Sequence, residues 1–161
     1  MKSVRNSWDD YKTIENLLDV FKGRLYFIRP VRHIYKCVMS NLHYGNFETH
    51  DLFHPEKSDK TTEETLLEWC VLDLNWFYTL AHKYPKHFIY IFEDDMDDFN
   101  KIIMKFLNLP LTKTLVDVKM SDTRQITPER MEYYGKLIKS LCKNKKINSN
   151  LYELLKKRID N

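Results

Sequence analysis

Glycine is scarce in this chain: Gly23, Gly45 and Gly135 are the three in 161 residues, each isolated from the others. Loops that wrap a phosphate in backbone N–H groups need clustered glycines where the chain turns tightly. Neither G-x-x-x-x-G-K-[ST] nor G-x-G-x-x-G occurs, so no complete phosphate loop is encoded. Long apolar runs are missing as well. Nothing approaches the roughly 20 residues a membrane helix needs, and no positively charged start leads into an apolar region. Neither a membrane partner nor a secretion signal is therefore expected. Cysteine is sparse and odd in number, with Cys37, Cys70 and Cys142 far apart and no C-x-x-C pair. This fits a reducing compartment such as the cytoplasm, the Golgi lumen remaining open for a fragment. The net charge of +3 is too mild to argue for nucleic acid by itself.

What is present is aromatic and charged. Ten Tyr, nine Phe and three Trp supply a substantial core, and a single domain of this length buries about two-thirds of its unfolded surface. The stretch around which the chain is organised is HFIYIFEDDMDDFNKIIMKFLNLPL, His87 to Leu111. Phe88 to Phe92 is a continuous apolar run that suits a strand buried on both faces, as in a parallel sheet. Five acids in Glu93 to Asp98 interrupt it, and Asp95 or Asp97 is expected to cap the helix that follows. That helix carries Phe99, Ile102, Ile103, Phe106 and Leu107 at helical spacing, and Pro110 closes it. Strand, acidic turn and amphipathic helix make a βα unit.

Upstream, Ser7 and Asp10 resemble a capping box for a helix with Ile14, Leu17, Leu18 and Phe21 on one face, ended by Gly23. Arg24 to Ile28 reads as a second buried strand that stops at Arg29-Pro30. Proline suits a first helical turn, so a helix is expected from Val31 to about Leu42. Residues 44–60 read as a long surface loop. Thr61 or Thr62 caps a long helix whose stripe runs from Leu66 to Ala81, with Glu63 and Glu64 in its first turn. Two strands separated by so much helix and loop fit a parallel crossover better than a hairpin. The expected class is α/β: helix-rich, with a short parallel sheet flanked by helices. Thr114 to Met120 reads as a short edge strand, Thr127-Pro128 as a helix start, and Asn150 to Ile159 as a final helix.

Arg29 would then sit at the carboxyl end of a parallel strand beside a helix start, where open α/β sheets bind ligands and helix N-termini attract anions. Arg32 and Lys36, four apart, would share a face of that helix and complete a phosphate site. Ordinary charge balance is the competing account: Arg29 paired with the acidic turn, Arg32 and Lys36 solvated. His43, His50 and His54 with Asp51 are better read as surface residues than as a metal site, because Gly and Pro surround them. The acids at 93–98 are better read as capping and solubility than as a Mg²⁺ site. Lys136 to Arg158 is strongly basic, with Glu153 its lone acid. A polyanion surface and a solvated helix face both fit that run.

These segments resemble a known family. LYFIRPVRHIYKCVMSNLHYG is similar to the second cofactor-binding segment of sulfotransferases, and the Phe92-Glu93-Asp94 and Phe106-Leu107-Asn108-Leu109-Pro110 motifs are similar to a later one. The resemblance runs over roughly residues 14 to 111, the C-terminal part of a truncated P-loop-like fold. It implies that Arg29 contacts the 3′-phosphate of 3′-phosphoadenosine 5′-phosphosulfate, with Arg32 and Lys36 assisting. The family's serine falls at Cys37 here, and its role carries to Ser40, nearly a turn further on. The loop that binds the 5′-phosphosulfate in the family has no counterpart before Arg29. Since that loop stabilises the transferring group, sulfuryl transfer would need it from elsewhere, for instance from a second chain. The alternatives are a non-catalytic binding or structural module, or a polyanion binder using the basic C-terminus.

Overall fold

The structure, a computed structural model, describes residues 11–44, 59–110 and 126–159. The expected Ser7 cap, the histidines at 50 and 54 with Asp51, and the expected strand Thr114 to Met120 lie outside them.

The long capped helix forms as its sequence demands. Helix α3 runs Thr62–Lys83, and Thr61 caps it in a reciprocal box: the Glu64 N–H donates to the Thr61 hydroxyl while the Glu64 carboxylate accepts from the Thr61 N–H. Both interactions satisfy donors that a helix end otherwise leaves unpaired. Leu66, Leu67, Val71, Leu74 and Leu80 of α3 are almost wholly buried. Apolar residues on more than one side make α3 the hub of two cores. One gathers Val31, Tyr35, Val38, Tyr134, Ile138 and Leu151 against its N-terminal half. The other gathers Ile14 and Phe88 against Phe77, Leu80 and Ala81.

Helix α1 (Tyr11–Val20) supplies Ile14 to the second core. Lys22 and Gly23 then take left-handed backbone conformations, φ 50° and 69°, and the Gly23 N–H donates to the Leu18 carbonyl at 2.9 Å. This is the glycine-terminated helix end expected from sequence. A Cβ on Gly23 would stand 3.2 Å from the His87 ring, a tight contact that would oblige the ring to give way slightly.

Strands β1 (Phe27–Val31) and β2 (Phe88–Phe92) pair in parallel, with Phe27 opposite Phe88 and Val31 opposite Phe92. The α/β class and the parallel pairing therefore hold. The span of the first strand does not: it lies three residues later than expected and contains Arg29-Pro30 instead of ending there. The Phe27 N–H donates to the His87 carbonyl at 2.7 Å, which turns the peptides of Ile28 and Pro30 away from β2. On that open edge a missing N–H leaves no ladder bond unmade, so proline is tolerated in the strand. Nor is β1 buried on both faces, since Ile28 and Pro30 are exposed, whereas Phe88, Ile91 and Phe92 of β2 are buried.

Because the strand continues to Val31, helix α2 begins late, at Ile34, and runs to Tyr44. Beyond β2 the acidic stretch is itself a short 3-10 helix, Glu93–Asp98, leading into α4 (Phe99–Phe106). No acid caps α4 as expected: Asp98 holds the cap position and makes no side-chain cap bond. Helix α5 (Pro128–Lys143) has Thr127 as cap and Pro128 in its first turn, as expected, and α6 (Ser149–Ile159) packs against it.

Candidate functional site

The parallel pair delivers two chain segments to its carboxyl rim. Arg32 and His33 follow β1, and Glu93 and Asp94 follow β2. Such a rim is where open α/β sheets place ligands. Here it is already occupied by the protein's own charges.

Arg29 does not face the rim. It lies inside β1 with its side chain turned to α3, where it donates to the Asp73 carboxylate at 2.5 Å and to the Asp73 carbonyl at 3.1 Å. Its guanidinium also stands 5.6 Å from the centre of the Phe77 ring. The physical reason is alternation: Phe27, Arg29 and Val31 share one face of the strand, and that face meets α3. Both sequence expectations for Arg29, an open rim and a pairing with the acidic turn, are corrected by this contact. Arg32 lies between β1 and α2, not on the helix, so it shares no helical face with Lys36. Lys36 donates to Glu93 at 2.7 Å across the rim. Ser40 is on α2, one turn beyond Lys36. Of the proposed cofactor residues, only Arg32 lines the small rim cavity itself.

The residue that sequence reasoning missed is Arg158. From the last turn of α6 it donates to Asp94 at 2.6 Å and to Asp95 at 2.9 Å, and its guanidinium lies 3.9 Å from the centre of the Phe92 ring. The signal was present as a basic α6 terminus and an unbalanced acidic stretch, but nothing local links positions so far apart. Together with Leu155, Arg158 roofs the rim. The partly open cavity beneath, lined also by His33, Ile34 and Phe92, measures about 20 Å³, room for about one water molecule. Burial holds His33 below its usual pKa, a tendency only partly offset by Glu93. Its ring meets Tyr35 edge-on at 5.0 Å. A neutral imidazole is favoured there, one more cation withheld from an incoming anion.

A second feature lies on the other side of α6. Between α5 and α6 is an open groove of about 390 Å³, lined by Met131, Gly135, Ile138 and Tyr152 with Glu132, Lys136, Lys139 and Lys156. Elsewhere α5 is fastened to α3 by a polar cluster. Arg130 donates to Glu63 through Nε at 2.7 Å and through Nη2 at 3.1 Å, and the Tyr134 hydroxyl donates to the same carboxylate. These bonds, Arg130 foremost, hold the Glu63 carboxyl below the usual carboxylate range.

Among the described residues no cluster of three His, Cys, Asp or Glu side chains could hold a metal ion, and no helix is long and apolar enough to cross a membrane. Set against family models, curated proteins and solved structures, the chain matches none of them.

Proposed function

We propose that this protein is a binding module for anionic ligands and not a self-sufficient sulfuryl-transfer enzyme. The ion pairing at the rim speaks against sulfuryl transfer, and anion binding is supported by the α5–α6 groove, where Lys139 and Lys156 have no ion-pair partner among the described residues. At the rim Lys36 and Arg158 are engaged by Glu93 and the Asp94–Asp95 pair, Arg29 is turned away to Asp73 of α3, and the space left admits about one water. A phosphosulfate nucleotide is multiply charged and far larger. Without a glycine-rich loop, nothing in the sequence would hold its transferring group either. The test is incubation with 3′-phosphoadenosine 5′-phosphosulfate and phenol, alcohol and amine acceptors. Release of 3′-phosphoadenosine 5′-phosphate should not exceed the blank, and release above it defeats the reading.

A second reading keeps the nucleotide. Arg32 lines the rim cavity and Lys36 reaches Glu93 beside it, which supports a sulfotransferase-like site for a 3′-phosphate that opens when Glu93 lets Lys36 go. On this reading Glu93→Gln raises the affinity for 3′-phosphoadenosine 5′-phosphate measured by calorimetry. Equal heats for both proteins would remove it.

A further inference from the structure

The groove between α5 and α6 has a floor that helix stability alone would not select. Gly135 lies well inside the sixteen-residue helix α5, where glycine is a poor helix former. A glycine inside a helix usually answers a left-handed backbone or a close neighbour. Gly135 answers neither: its φ is not positive, and a Cβ there would meet its nearest heavy atom, the Tyr35 hydroxyl, at an ordinary 4.0 Å. What the missing side chain does provide is depth, because Gly135 lines the groove between Met131 and Ile138 on one wall and Tyr152 on the other. The volume of about 390 Å³ falls within the roughly 300–1,000 Å³ of small-molecule clefts.

The charges around the groove are of unequal standing. Glu132 accepts from Lys136 at 2.7 Å, which balances that pair. Lys139 and Lys156 have no ion-pair partner among the described residues. Two uncompensated ammonium groups thus stand at a slot whose accessible walls are an aromatic ring and a thioether, Ile138 behind them being wholly buried. Such walls favour a flat apolar body, through ring stacking and sulfur–aromatic contact. The ammonium groups favour an anion attached to it.

From this juxtaposition we infer that the α5–α6 groove is a binding site for a small aromatic anion, its ring over Gly135 against Tyr152 and its phosphate, sulfate or carboxylate between Lys139 and Lys156. The inference rests on the reading of the chain as an anion-binding module and names its site. The closed rim plays no part in it.

Calorimetric titration of the full chain with 1-naphthyl phosphate tests it. Saturable one-to-one binding is expected, weakening as salt screens the ammonium groups. Inorganic phosphate and 1-naphthol, each half of the probe, should bind at least about tenfold more weakly. Gly135→Leu, which fills the slot, should abolish binding. The double variant Lys139→Gln, Lys156→Gln alters only exposed side chains and should weaken binding about tenfold while melting like the wild type. The inference is overturned by absence of saturable binding, or by binding that survives both variants. It is equally overturned if heparin or oligothymidylate binds while 1-naphthyl phosphate does not, since the lysines would then serve an extended polymer. Sulfuryl transfer in the turnover assay would defeat the module reading and leave the titration result intact, so the two failures are distinguishable.

Discussion

Replacing Gly135 by Ala should stabilise the protein, a sign unusual for a change at a helix surface flanked by core residues. Two quantities decide it. Alanine in a helix interior is favoured over glycine by about 1 kcal/mol, part of it from the reduced freedom of the unfolded chain. Against this stands any steric penalty, and the built Cβ finds its nearest heavy atom at 4.0 Å, an ordinary van der Waals distance. The net gain is therefore close to the full 1 kcal/mol, which for a chain of this size raises the melting temperature by about 2–4 °C. Thermal denaturation followed by circular dichroism at 222 nm reads the shift directly. Gly23→Ala is the internal control with the opposite sign. There φ is +69° and the Cβ would press the His87 ring at 3.2 Å, so destabilisation by about 1–2 kcal/mol is expected. An unchanged or lowered melting point for Gly135→Ala would refute the reasoning. It would mean that the helix needs glycine for packing, and the argument that the groove is why glycine sits there would fall with it.

Thr61→Ala removes the reciprocal cap of α3 and should cost about 1 kcal/mol in urea denaturation with an unchanged m-value. Leu66→Ala, at a wholly buried site between α3 and the larger core, should cost about 2–5 kcal/mol. Glu63→Gln gives a pH-dependent loss. The depressed carboxyl of Glu63 stabilises the fold above its ordinary pKa of 4.5 and ceases to do so as pH falls through the lower folded value. The stability gap between wild type and variant should therefore be full near neutrality and shrink below about pH 4.5; a gap that is constant with pH would refute the assignment. Arg158→Ala unroofs the rim, so modification of His33 by diethyl pyrocarbonate, followed by peptide mass spectrometry, should quicken relative to wild type.

Much of this architecture is legible along the chain because it depends on neighbours. The caps at Thr61 and Thr127, the helix end at Gly23 and the apolar stripe of α3 involve residues one to five apart, and periodicity and hydrogen-bond bookkeeping reach that far. The uninterrupted apolar run Phe88 to Phe92, set against a second run far upstream, was likewise enough for a parallel pair. The edges of β1 were not legible, since whether proline ends a strand or lies within it depends on which side of that strand is open. That is a property of the sheet and not of the dipeptide.

The sequence by itself determined the inventory: an α/β chain without a glycine-rich phosphate loop, its capped helices, and the cations and acids available to a site. Only the tertiary structure decided how those charges are matched, because the partners lie 44 residues apart for Arg29 and Asp73, 57 for Lys36 and Glu93, and 64 for Arg158 and Asp94. Ion pairing is non-local and long side chains have several partners within reach, so packing makes the choice. It closed the rim that the sequence pointed to and opened the groove beside Gly135 instead.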